Sequence, residues 1–157
     1  MSLTDFLSPE AISIQFAAED AEDVIVLLGN RLYELGCVKD DFVEATLARE
    51  AEMPTGLPLA GEINAAIPHV DIEYVNKPAL ALATLSQPVI FQNMVDIEEE
   101  VPVRLVIMLA LDQPKSQIEM LQQVAGVLQN PNLVDRLMVA EEVDEVLATL
   151  TIESVEV

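Results

Sequence analysis

From Val101 to Leu111 the chain reads Val-Pro-Val-Arg-Leu-Val-Ile-Met-Leu-Ala-Leu, an apolar run broken by one charge, Arg104. Its longest uninterrupted stretch, Leu105 to Leu111, is far too short to cross a bilayer, which takes about 20 apolar residues. A short apolar run without alternation suits a strand buried on both faces. The rest of the chain must therefore supply a sheet around this strand and helices to cover it.

Several other segments fit that sheet. Ile12-Ser13-Ile14-Gln15-Phe16 alternates apolar and polar, which predicts a half-buried strand after a loose entry over residues 1–10. Residues 79–85 and 89–91 predict two strands on either side of a Gln87-Pro88 break. Residues 62–68 predict a short strand that ends at Pro68.

Helical spacing marks the cover. Val24, Leu27, Leu28, Leu32 and Leu35 recur on one face between Ala18 and Leu35, with acids in the first turns and Gly36 as the C-terminal cap. A second helix is expected over residues 40–52, stopped by Pro54, and residues 53–62 read as a loop. Residues 115–128, a short helix opened by Asn130-Pro131, and residues 141–150 complete the set. No internal repeat or linker is visible. The pattern predicts one α/β domain over residues 1–157, with its core at about 9–150 and a mixed sheet carrying helices packed on both faces.

Composition excludes several classes of function. The 52% hydrophobic content excludes a disordered chain, and the formal charge of −21 repels nucleic acid and anionic lipid. That charge suits a basic protein partner, and equally plain solubility. Cys37 is the only cysteine, so an internal disulfide and a cysteine-rich metal site are excluded. No secretory leader and no membrane-length apolar run is visible, so a cytoplasmic protein without direct membrane insertion is expected. Nothing predicts a metal or a cofactor. The acidic runs Glu98-Glu99-Glu100 and Glu141-Glu142 lack a calcium-loop pattern, and no Gly-Lys-Ser phosphate loop occurs.

The chemistry gathers around His69, the sole histidine. It follows Ala-Ala-Ile-Pro, where a buried strand meets the surface and proline stiffens the exit. Upstream lie Arg49, at the end of the second helix, and the turn Thr55-Gly56. An imidazole nucleophile, a bidentate arginine and a tight loop suffice to hold a phosphoryl group. Arg49 is also open to a surface ion pair with Glu50, and His69 to no role at all.

Arg49-Glu50-x-x-Met53-Pro54-Thr55-Gly56-Leu57 followed by Ala66-Ile67-Pro68-His69 resembles the enzyme IIA domain of the bacterial phosphoenolpyruvate-dependent sugar phosphotransferase system. The likeness is to its fructose–mannitol branch, the Pro-Thr-Gly-Leu loop being most similar to the galactitol type, and it covers roughly residues 9–150. It implies a phosphotransferase in which His69 accepts a phosphoryl group, on Nε2, from the phosphocarrier protein HPr. His69 would then pass it to a cysteine of an enzyme IIB, which serves the membrane component enzyme IIC during uptake of a sugar or polyol such as galactitol. Arg49 would stabilise the phosphoryl group, and Thr55 and Gly56 would form the loop beside it. Many relatives carry a second histidine at the start of the helix after the central strand. Gln117 takes that slot here, a side chain able to hydrogen-bond a phosphoryl oxygen or the imidazole but not to share a proton as histidine does. Backbone N–H groups over residues 114–118 would then matter more. The alternative is a regulatory enzyme IIA-like protein whose His69 phosphorylation state controls a partner. Asp71 is a candidate for fixing the His69 tautomer.

Overall fold

A computed structural model describes residues 3–156, without the side chains of Ser116, Gln117 and residues 152 onward. The run 101–111 forms β5 (Glu100–Ala110), and it lies third in a five-stranded mixed sheet. Naming the other strands β1 (Leu7–Phe16), β2 (Gly56–Leu57), β3 (Ala65–Ala66) and β4 (Ala79–Gln92), the order is β1-β4-β5-β3-β2. β4 and β5 pair antiparallel from Ala79↔Ala110 to Gln92↔Glu100. β1 joins β4 in parallel, β3 joins β5 in parallel, and β2 is antiparallel to β3. All residues from Ala79 to Leu85 and from Leu105 to Leu111 are buried, so both faces of the central pair are covered.

The cover consists of α1 (Ala21–Glu34) and α2 (Phe42–Glu52), then α3 (Pro114–Leu128), α4 (Pro131–Val139) and α5 (Val143–Glu156). α1 rests on β4 and against α2, while α5 packs on α4 and β1. Val24, Leu28 and Leu32 are buried in α1 as their spacing predicts, Ile25 joins them, and Leu27 and Leu35 are half-buried. The Asp20 carboxylate accepts from the Asp23 N–H at the start of α1, and Gly36, at φ 77°, lets the chain turn out of its end. Asn130 caps α4 by accepting from the N–H groups of Asn132 and Leu133, with Pro131 in the first turn.

Three strand expectations need correction. Residues 3–10 are not a loose entry, residues 1 and 2 of that expectation lying outside the described residues: β1 starts at Leu7, and Leu3 and Leu7 are both buried. Ser8, Pro9 and Glu10 are exposed, which gives the segment the look of a loop. The Gln87-Pro88 break does not divide two strands, because β4 runs through it with a register shift between Thr84 and Val89. β1 pairs with β4 no further than Leu85, so Pro88 meets no demand for an N–H from that neighbour. The strand expected over 62–68 shrinks to Ala65-Ala66, and the loop 53–62 holds the short strand β2.

β2 is pressed against the end of β4. A Cβ built on Gly56 meets the Gln92 carbonyl oxygen at 2.6 Å, and the Gly56 carbonyl accepts from the Met94 N–H at 2.8 Å. Because the obstacle is backbone, it has little freedom to give way. Gly56→Ala is expected to lower stability by about 1–3 kcal/mol in a denaturant melt, the usual range for overpacking.

Candidate functional site

His69 leaves the sheet just beyond β3. It bridges Leu109 of β5 in parallel, and the Leu109 N–H donates to the Pro68 carbonyl at 3.0 Å. The strand-exit expectation is therefore correct. The imidazole Nδ1 lies 2.8 Å from the Ile67 carbonyl oxygen. A carbonyl only accepts, so Nδ1 carries the hydrogen in the neutral ring and the lone pair lies on Nε2. Asp71, the candidate for this task, has a different partner: its carboxylate accepts from Arg49 Nη1 at 3.3 Å. The tautomer is fixed by a backbone carbonyl, which no side-chain pattern in the sequence announces.

Arg49 and Glu50 do not bond one another. Glu50 turns into the protein and accepts twice from Thr55, from N–H and from Oγ1–H, each at 2.7 Å. Thr55 is 2% exposed, so both donors are spent inward rather than on an incoming anion. Arg49 is left to reach over the loop toward Asp71. Its Nε is buried and has no hydrogen-bond partner among the described residues. An unmet guanidinium donor is costly and invites an acceptor.

Arg49, Thr55 and His69 line one cavity of about 400 Å³ together with Glu52, Met53, Pro54, Met94 and Ile97. Arg49, Thr55 and His69 are thus brought together, while Gly56 lies in β2 and does not line the cavity. Met94, Val95 and Ile97 were not singled out by sequence reasoning. Their signal is the interleaving of apolar residues with acids in Asn93-Met94-Val95-Asp96-Ile97-Glu98, and Val95 is 91% exposed. The side chain of Gln117 lies outside the described residues.

Burial lowers the pKa of His69 from its usual 6.5, and the Arg49 charge adds to this. The bond to Ile67 and the Asp71 carboxylate oppose the shift without cancelling it. The ring is therefore neutral at pH 7 and able to act as a nucleophile. Burial raises the pKa of Glu50 above 4.5, against the pull of the Thr55 hydrogen bonds and the Arg49 charge. For His69 the unfolded chain binds a proton at a higher pH than the folded one. Stability from this group is therefore present above pH 6.5 and falls as the pH drops toward the folded pKa. A histidine-ring NMR titration is expected to give a midpoint below 6.5. Asp71→Asn, which removes an opposing carboxylate, should move that midpoint lower still, with less than about 1 kcal/mol change in stability because the pair is partly solvated.

The likeness to known proteins agrees with this geometry. Residues 5–152 match the family model described as "Phosphoenolpyruvate-dependent sugar phosphotransferase system, EIIA 2". The chain is 35% identical over 123 residues to the galactitol-specific EIIA component of Escherichia coli strain K12, covering 78% of this chain and 81% of that protein. The crystal structure of IIA mannitol from Escherichia coli superposes with a TM-score of 0.75 at 29% identity, covering 91% of this chain and 97% of the other. The IIA mannitol in a complex with phosphorylated enzyme IIB mannitol, also from Escherichia coli, gives 0.74 at 28% identity, with 92% and 96% covered. The chain belongs to the enzyme IIA family of the phosphoenolpyruvate-dependent sugar phosphotransferase system, in its fructose–mannitol branch, a family of phosphotransferases with a phosphohistidine intermediate.

Proposed function

We propose that His69 is the phosphoryl carrier of this chain, charged by HPr and discharged to a cysteine of an enzyme IIB during uptake of galactitol or a related polyol. One observation carries the assignment of the atom. Nδ1 is tied to the Ile67 carbonyl, which leaves the Nε2 lone pair for attack, in a cavity shared with an arginine that has an unmet donor. In the first transfer, Nε2 attacks the phosphorus of phosphorylated HPr. The new N–P bond forms as the bond to the HPr imidazole breaks, and that electron pair returns to the HPr ring. In the second, a thiolate of enzyme IIB attacks the same phosphorus and the Nε2–P electron pair returns to His69. No proton need leave Nδ1 in either step, so the Ile67 hydrogen bond persists through the cycle and helps carry the positive charge of the phosphorylated ring.

Arg49 is the group suited to the phosphoryl oxygens. Its hold on Asp71 is a single contact at 3.3 Å between partly exposed groups, weak enough for a dianion to compete with. Thr55 lines the wall with Gly56 next to it in sequence, and the Thr55 donors are spent on Glu50 rather than on the phosphate. Gln117, in the first turn of α3 after β5, is a further candidate donor to the phosphoryl group, in line with its family slot. Around the cavity, Met53, Met94, Val95 and Ile97 are exposed apolar residues among Glu52, Asp71, Asp96, Glu98 and Glu99. An apolar centre with an acidic surround suits partners that present apolar residues ringed by basic ones. The galactitol assignment is supported by the 35% identity to a galactitol-specific component.

Incubation with phosphoenolpyruvate, enzyme I and HPr is expected to add one acid-labile phosphoryl mass to the intact protein, and none to His69→Gln. Absence of that gain with demonstrably phosphorylated HPr sinks the proposal. Arg49→Gln is expected to slow transfer by about 100-fold, the scale of losing one charge-stabilising donor in a shielded site. The association rate with HPr should fall as salt rises, since the steering charges lie on the surface.

A further inference from the structure

Glu50 holds no contact with His69, yet a continuous line of hydrogen bonds joins them. The Glu50 carboxylate accepts from the Thr55 N–H and hydroxyl, each at 2.7 Å. The Thr55 carbonyl accepts from the Ile67 N–H at 3.2 Å. The carbonyl of the same Ile67 accepts from His69 Nδ1 at 2.8 Å. We infer that Glu50 is a positioning residue for phosphoryl transfer, acting through Thr55 and the Ile67 backbone to hold His69 in the tautomer that presents Nε2. The inference rests on the carrier reading above.

Three features favour a positioning role over a plain loop fastener. First, the line is short and made of backbone at its middle, where movement of Thr55 passes directly to Ile67. Pro54 and Pro68 flank it and remove local backbone freedom. Second, the carboxylate is used unsparingly. A half-buried carboxylate accepts two short bonds from one residue on the loop, while the cheaper partner, adjacent Arg49, goes elsewhere. This choice also leaves the guanidinium on the cavity side. Third, Thr55 has no other visible need for an acid beneath it. Its hydroxyl donates into the protein rather than toward the cavity. Charge-assisted bonds of this kind, in a partly desolvated setting, fix a geometry more tightly than neutral ones.

The test is the histidine-ring nitrogen spectrum of the full-length chain with labelled histidine, held above pH 7. Wild type is expected to show Nδ1 protonated and Nε2 bare. In Glu50→Leu and in Thr55→Val, the ratio of that tautomer to the other should fall about fivefold, the scale of one net hydrogen bond. Thr55→Ser, which keeps the hydroxyl, should restore the wild-type ratio. Transfer from phosphorylated HPr should slow in kcat in parallel with the ratio, with KM for HPr unmoved. Should Glu50→Leu fail to fold, Thr55→Val carries the test alone. A tautomer ratio unchanged in the folded variants, with wild type still taking up phosphoryl, overturns the relay and leaves the carrier reading standing. A wild type that takes up no phosphoryl, while its ratio responds to the substitutions, fells the carrier reading instead and takes the catalytic meaning of the relay with it.

Discussion

The candidate site hangs from the antiparallel ladder between β4 and β5. That ladder joins the two longest buried runs of the chain, from Ala79↔Ala110 to Gln92↔Glu100. His69 is fastened to it through Leu109, and Gly56 just past its far end, through the Asn93 bridge. The segment that bears the imidazole is thus tied to a buried stretch of β5, and the loop wall to the residue that follows β4. A reactive ring on a flexible loop would need to be ordered at each transfer. Here the ordering is done when the sheet folds.

Within that frame, the site separates holding from reacting. The bonds that hold it, from Glu50 through Thr55 and Ile67 to Nδ1, all point inward. The Arg49 Nε and the second imidazole nitrogen take no part in that line, and Arg49 and His69 both line the cavity. Burial works against both titrating members: it disfavours the charged imidazole and the charged carboxylate alike. For the proposed carrier role of His69 that is useful, because a neutral ring is the nucleophilic form. For Glu50 it is a cost that the two Thr55 donors offset in part.

Much of this was legible in the sequence. The helices announced themselves because apolar spacing, the acid-rich start of α1, Gly36 and Pro131 all pointed the same way. The central strand was legible because a seven-residue apolar run such as Leu105–Leu111 has few other uses where no helix among the described residues is long and apolar enough to cross a membrane. The outer parts of the sheet were not. β2 and β3 are two residues each, too short for any period to show, and exist only because β5 and the end of β4 give them partners. Pro9 and Pro88 hid strand residues because they sit where no neighbouring strand asks for an N–H. For the site, residue types pointed to His69 and Arg49, but the partners of both came out differently. Asp71 and Glu50 each lie beside an apparent mate in sequence and bond elsewhere in space, and the Ile67 carbonyl has no side-chain signature.

The borders of the sheet carry one further consequence. On one side, β1 exposes Pro9 and Glu10 and is kinked at Gln15, whose φ of 53° lies in the left-handed region and whose N–H donates to the Thr84 hydroxyl instead of continuing a ladder. On the other, β2 ends after two residues. Neither border offers a visiting chain a straight row of free amides to zip onto. Such borders favour encounters through side-chain faces, which part more readily than an added strand. A molecule that must meet one protein, take a group, and promptly meet another is better served by surfaces that let go.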